Sequence, residues 1–96
     1  MSINWTEKAL KQLDRIFEYI AADSELYAYR TIDKIIARTD SIIEHPQIGR
    51  SVPEYERGDI REVFVYSYRI IYQVKGEEIL ILSVIHGAHL LPDEFE

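Results

Sequence analysis

The chain contains no cysteine, which excludes disulfide staples, a thiolate zinc centre and a cysteine nucleophile. It also lacks any apolar run of about 18 residues, the length a helix needs to cross a bilayer. Its start, Met1-Ser2-Ile3-Asn4-Trp5, has neither the basic cluster nor the apolar core of a signal peptide. No membrane association is therefore expected, and the cytoplasm is the expected location. Glycine and proline are scarce, at four and three residues. Most of them (Pro46, Gly49, Pro53 and Gly58) fall in one stretch, so the chain is punctuated chiefly there. Positive charge is also in short supply. Eleven basic residues face seventeen acidic ones, for a net charge of −6. The imbalance holds in both halves, eight acidic to six basic over 1–45 and nine to five over 46–96. A protein that grips a phosphate backbone normally presents a basic face, so direct DNA or RNA binding by the chain alone is not expected.

What is present suits a small folded domain. Hydrophobic residues make up 47% of 96 residues, enough for one domain spanning 1–96 and no more. A chain of this size without covalent staples must rely on its core or on a partner.

Residues 2–5 form a candidate strand ending at Trp5. Thr6 is a good N-cap, with Glu7 placed where a helix N-terminus favours an anion. Ala9, Leu10, Leu13, Ile16, Phe17 and Ile20 then recur at helical spacing, which predicts an amphipathic helix to about Ala22. Asp23-Ser24 is a short break, and either residue could cap the next helix. Ala28, Ile32, Ile35, Ile36, Thr39, Ile42 and Ile43 make a second apolar stripe, ended by His45-Pro46. Two helices joined so closely should form an antiparallel hairpin. Residues 46–59 read as a loop with a short strand near Arg50–Val52. From Ile60 onward, β-branched and aromatic residues dominate. Ile60–Tyr66, Tyr68–Lys75 and Glu78–His86 predict a three-stranded antiparallel meander, with tight turns at Ser67 and at Lys75-Gly76-Glu77. Leu90-Leu91-Pro92 then leads into an acidic tail. Segregated helices and strands predict an α+β fold: an N-terminal strand, a helical hairpin, then a three- to four-stranded antiparallel sheet.

The strands are apolar on both faces, as in Arg69-Ile70-Ile71-Tyr72 and Ile79-Leu80-Ile81-Leu82. One helical hairpin covers one face. The other is expected either to be bare, with poor solubility or self-association until a partner covers it, or to be covered by the C-terminal segment or by sheet twist.

The run Ile60-Arg61-Glu62-Val63-Phe64-Val65-Tyr66-Ser67-Tyr68-Arg69-Ile70-Ile71-Tyr72-Gln73-Val74 resembles the ParE branch of the ParE/RelE toxin superfamily. So do the last strand, Ile79 to Ile85 running into His86-Gly87-Ala88, the early Trp5 with Ala9, Leu13 and Ile16-Phe17-Glu18-Tyr19-Ile20-Ala21, and the loop His45-Pro46-Gln47-Ile48-Gly49-Arg50. The resemblance covers the whole chain in order. It implies a cognate antitoxin that wraps and blocks the toxin in a hetero-oligomer, and no cofactor. It implies one of two targets: DNA gyrase for ParE-like members, or mRNA on the ribosome for RelE-like endonucleases. An inactive member kept for plasmid or locus maintenance is a third option. Arg69 and His86 fall where one type of endonuclease relative has its arginine and histidine, but Gly87 and Ala88 stand where that relative has a tyrosine. The basic strand of the lysine-rich type is absent.

Several residues are candidates for antitoxin or target contact. Arg61 and Arg69 could clamp a carboxylate or phosphate bidentately, or could pair across strands with Glu62, Glu78 or Glu54. Tyr66, Tyr68 and Tyr72 suit an interface or a half-buried sheet surface. His86 and His89 could bind a metal or transfer protons, or simply bond to backbone. No third ligand accompanies them, so no metal is expected.

Overall fold

The computed structural model describes residues 1–87. The acidic tail and His89 lie outside the described residues. The described elements are β1 (Ser2–Trp5), α1 (Glu7–Ala21), α2 (Glu25–Glu44), β2 (Arg50–Ser51), β3 (Ile60–Val65), β4 (Tyr68–Lys75) and β5 (Glu78–His86). The fold is the expected α+β arrangement of a helical hairpin and a β-meander. The sheet has five strands in the order β1-β5-β4-β3-β2, and it is mixed because β1 runs parallel to β5. The expectation of three or four antiparallel strands is corrected on that point. The partner of an N-terminal strand is settled by a contact some 75 residues away, which local pattern does not encode.

The caps follow from local chemistry. Thr6 Oγ1 accepts from the Ala9 N–H at 3.1 Å, and Ser24 Oγ accepts from the Tyr27 N–H at 3.2 Å. Each satisfies one of the helix's unpaired N-terminal donors. The apolar stripes pack on one sheet face. Ala9, Ile16, Ile35 and Ile42 meet Val63, Val65, Ile70, Tyr72, Ile79, Ile81 and Val84 in the main core. Leu10 and Ile36, both expected within the stripes, are exposed, whereas Thr31 is buried. Its hydroxyl donates to the Tyr27 carbonyl one turn back, so its burial leaves no orphaned donor.

The opposite sheet face is not bare. The loop between β2 and β3 folds back over it, and Val52 and Tyr55 form a second small core with Ile60, Ile71 and Leu82. Isolated apolar residues in a loop carry no periodicity, so nothing in the pattern pointed to this cover.

The separate loop that leads from α2 into β2 is held by Tyr72, whose hydroxyl donates to the Pro46 carbonyl at 2.8 Å and accepts from the Gly49 N–H at 2.9 Å. Arg61 Nη1 donates to the Gly49 carbonyl at 2.9 Å. There is no room for a side chain at Gly49. A Cβ there would lie 2.7 Å from both the Glu62 carbonyl oxygen and the Tyr72 hydroxyl. Gly49→Ala is expected to displace the loop and cost about 1–3 kcal/mol, as overpacking in tight sites does. The urea midpoint should fall accordingly; an unchanged midpoint would show that the loop yields freely.

Candidate functional site

One feature of the sheet decides where the candidate residues point. β4 and β5 pair from Lys75↔Glu78 to Tyr72↔Ile81, then resume at Ile71↔Ser83. Leu82 is the extra residue of a β-bulge. Beyond it, Arg69 pairs with Ile85, and Tyr68 with His86. Directly paired residues share a face, so Arg69 and His86 project from opposite faces of the sheet. Had the register run on without the bulge, Arg69 would have paired with Val84 and His86 would have shared its face.

On the loop-covered face, Arg69 is 5% exposed and sits among carboxylates. Its Nε donates to Glu62 Oε1 at 2.6 Å, and its two terminal nitrogens donate to Glu54 at 2.7 and 2.8 Å in a bidentate fork. The Glu62 side chain, fully buried, takes a second bond from Arg50 Nε at 2.7 Å. The pairing with Glu54, Glu62 and their charges holds the Arg69 guanidinium above its ordinary pKa, against the burial that lowers it. Arg61 points to the other face and is occupied by Gly49. The two arginines therefore do not form a common clamp. Tyr72 is fully buried and does not reach a surface; burial raises its pKa, opposed by the Gly49 N–H and by the charges of Arg61 and Arg38.

On the helix-covered face, His86 stacks edge-on against Tyr68, with ring centroids 6.0 Å apart. Together with Gln12, Arg15, Tyr19 and Val84 they line a cleft of about 500 Å3 between α1 and β5. Burial and then neighbouring Tyr19 and Tyr27 push the Tyr68 phenol pKa up. β1 pairs only with Glu78–Ile81 of β5, so among the described residues no strand lies beside the far half of β5 next to this cleft. At that edge the Val84 N–H is held by Gln12 Oε1 at 2.9 Å, a side chain standing in for a neighbouring strand's carbonyl. A smaller cleft joins Tyr68 and His86 to Tyr27 and Tyr66.

Sequence reasoning passed over Gln12, Lys34 and Phe64 as site residues and left Tyr27 without a role. Gln12 lies on the boundary of the α1 stripe, where a polar residue beside Leu13 could have signalled an edge contact. Among the described residues no group of three or more His, Asp or Glu could hold a metal ion, and no helix is long and apolar enough to cross a membrane.

A helical hairpin on one face of a small mixed sheet, with exposed tyrosines, makes this a small α+β domain. The family model for the ParE toxin of type II toxin–antitoxin systems (parDE) matches residues 3–91. The chain is 33% identical over 95 residues to the putative toxin Y4kP of Sinorhizobium fredii, covering 94% of this chain and 92% of that one. It is 34% identical over 87 residues to the toxin RelE2 of Caulobacter vibrioides, covering 90% and 94%. A solved structure, the chromosomal ParDE toxin–antitoxin system from P. aeruginosa, superposes with a TM-score of 0.74 at 26% identity, covering 90% of this chain and 95% of that one. The chain belongs to the ParE family of type II toxin–antitoxin toxins. That membership implies a cognate antitoxin as its partner.

Proposed function

We propose that this toxin acts by binding rather than by catalysis, inhibits DNA gyrase, and is neutralised when its antitoxin lays a segment along the far half of β5. The observation that carries the reading is the separation of Arg69 and His86. An endonuclease that cleaves RNA through the 2′-hydroxyl needs its proton-transfer group and its phosphate-binding cation on the same reacting atoms. Here the sheet lies between them, and Arg69 already has carboxylate partners. The acidic net charge points the same way.

The antitoxin's place is supported by the half of β5 that has no neighbouring strand on that side among the described residues. An incoming strand's carbonyl could replace Gln12 on the Val84 N–H, with side chains entering the cleft beside Arg15, Tyr19 and His86.

The second reading, a ribosome-dependent mRNA endonuclease, draws on the likeness to the toxin RelE2. One pair of assays separates the two. The purified chain is expected to inhibit gyrase supercoiling at concentrations comparable to the enzyme's, with relief by antitoxin, and to leave mRNA on stalled ribosomes intact. Ribosomal cleavage without gyrase inhibition would reverse the choice.

A further inference from the structure

Tyr66, in the tight turn between β3 and β4, has φ of 52°, the sole positive φ of a non-glycine residue among those described. Such a turn ordinarily takes glycine or asparagine, because a Cβ is strained in the left-handed region. The ring does not offset the strain by burial. It is 55% exposed, with the Tyr27 ring 6.4 Å away and Lys34 Nζ 5.8 Å from its centroid. Strain kept at an exposed aromatic residue points to use outside the fold.

The surroundings say what kind of use. β2 pairs only with Arg61 and Glu62, so among the described residues no strand lies along β3 from Val63 onward. Across from that edge α2 presents Lys34, Ala37, Arg38 and Ser41. With Phe64, Val65 and Tyr66 they line a cleft of about 450 Å3. Neither Lys34 nor Arg38 has a carboxylate partner among the described residues. Two unpaired cations beside exposed aromatic rings, in a chain of net charge −6, make a local surface of opposite sign to the rest of the molecule.

We infer that this cleft is where the toxin seizes its protein target, and that the seized element is an acidic segment. Its apolar side chains would rest on Phe64, Val65 and Tyr66, and its carboxylates would meet Lys34 and Arg38. Tyrosine and arginine are the residues most often found as anchors in such contacts. The inference rests on the binding-toxin reading. It sets the target at the β3 edge of the sheet, opposite the β5 edge assigned to the antitoxin.

The test is Tyr66→Gly, with Tyr66→Asn as a second variant that also tolerates the turn. Both are expected to fold, the glycine variant with an unchanged or higher melting temperature. Both should co-purify with antitoxin like the parent chain, yet lose at least tenfold in growth arrest when induced without it. Lys34→Glu combined with Arg38→Glu should lose as much, and Lys34→Arg with Arg38→Lys much less. Folded Tyr66 variants as toxic as the parent would overturn the inference. So would variants that keep growth arrest but no longer bind antitoxin, since the surface would then be the antitoxin's. If the parent arrests growth without inhibiting gyrase and the Tyr66 variants lose that arrest, the surface stands and the gyrase reading fails. A parent chain that arrests no growth would overturn both.

Discussion

Arg69→Ala and Glu62→Ala are each expected to lower stability by about 3–5 kcal/mol, because either one breaks a buried ion pair and leaves the surviving charge only its less buried partner, Arg50 for Glu62 and Glu54 for Arg69. Domains of this size are stable by only about 5–15 kcal/mol, so both variants should be partly unfolded near physiological temperature. Thermal melts followed by circular dichroism should show a midpoint at least roughly 12 °C lower. Converting the pair together, Glu62→Leu with Arg69→Met, should recover most of the loss, since the apolar replacements leave no buried charge and Glu54 and Arg50 remain at a hydrated rim. The pair also fixes how function should be read. Loss of toxicity in Arg69→Ala would reflect a fold that has come apart. A folded, fully stable Arg69→Ala variant would mean that the Glu54–Arg69–Glu62–Arg50 network holds nothing together.

The second large effect is expected on the helical hairpin. Reversing Lys11, Arg15 and Arg38 together to glutamate should reduce growth arrest by at least about tenfold, the loss coming chiefly from Arg38 in the target cleft, since like charge across a contact is costly, while Arg15 in the β5 cleft should weaken antitoxin binding instead. Lys11 and Arg15 are exposed and Arg38 is half-buried. Lys11 has an exposed i,i+4 partner in Glu7, and such pairs contribute little to stability. The fold should therefore survive the change, which the same circular dichroism melts would confirm.

Much of this architecture was legible in the chain. Thr6 and Ser24 are strong N-cap residues and do cap. The β-branched density after Ile60 marks the meander, and Gly76 serves its two-residue turn with φ of 60°. What escaped had physical reasons. The parallel pairing of β1 with β5 is a long-range choice. The cover over the second sheet face comes from Val52 and Tyr55, which have no periodic neighbours to announce them. The largest change in meaning came from one residue. A bulge at Leu82 leaves no mark in a run as uniformly apolar as Ile79-Leu80-Ile81-Leu82, yet it moves His86 to the face opposite Arg69. The same two residues would otherwise have looked like halves of a catalytic site. Tyr66 also changed its meaning: read as the last residue of a strand, it lies in the tight turn after β3 with φ of 52°, a conformation that its β-favouring side chain does not announce.

The claim that this toxin binds rather than cleaves is tested most directly by growth arrest in cells expressing His86→Ala, its folding verified by circular dichroism. A catalytic centre fails when its proton-transfer group is removed, commonly by factors of about 10²–10⁴, whereas a contact surface loses one contributor among several. The expected result is growth arrest within a few-fold of the parent chain. Complete loss of arrest in a folded His86→Ala protein, with the hairpin charge-reversal variant still toxic, would place this toxin on the endonuclease side of its superfamily.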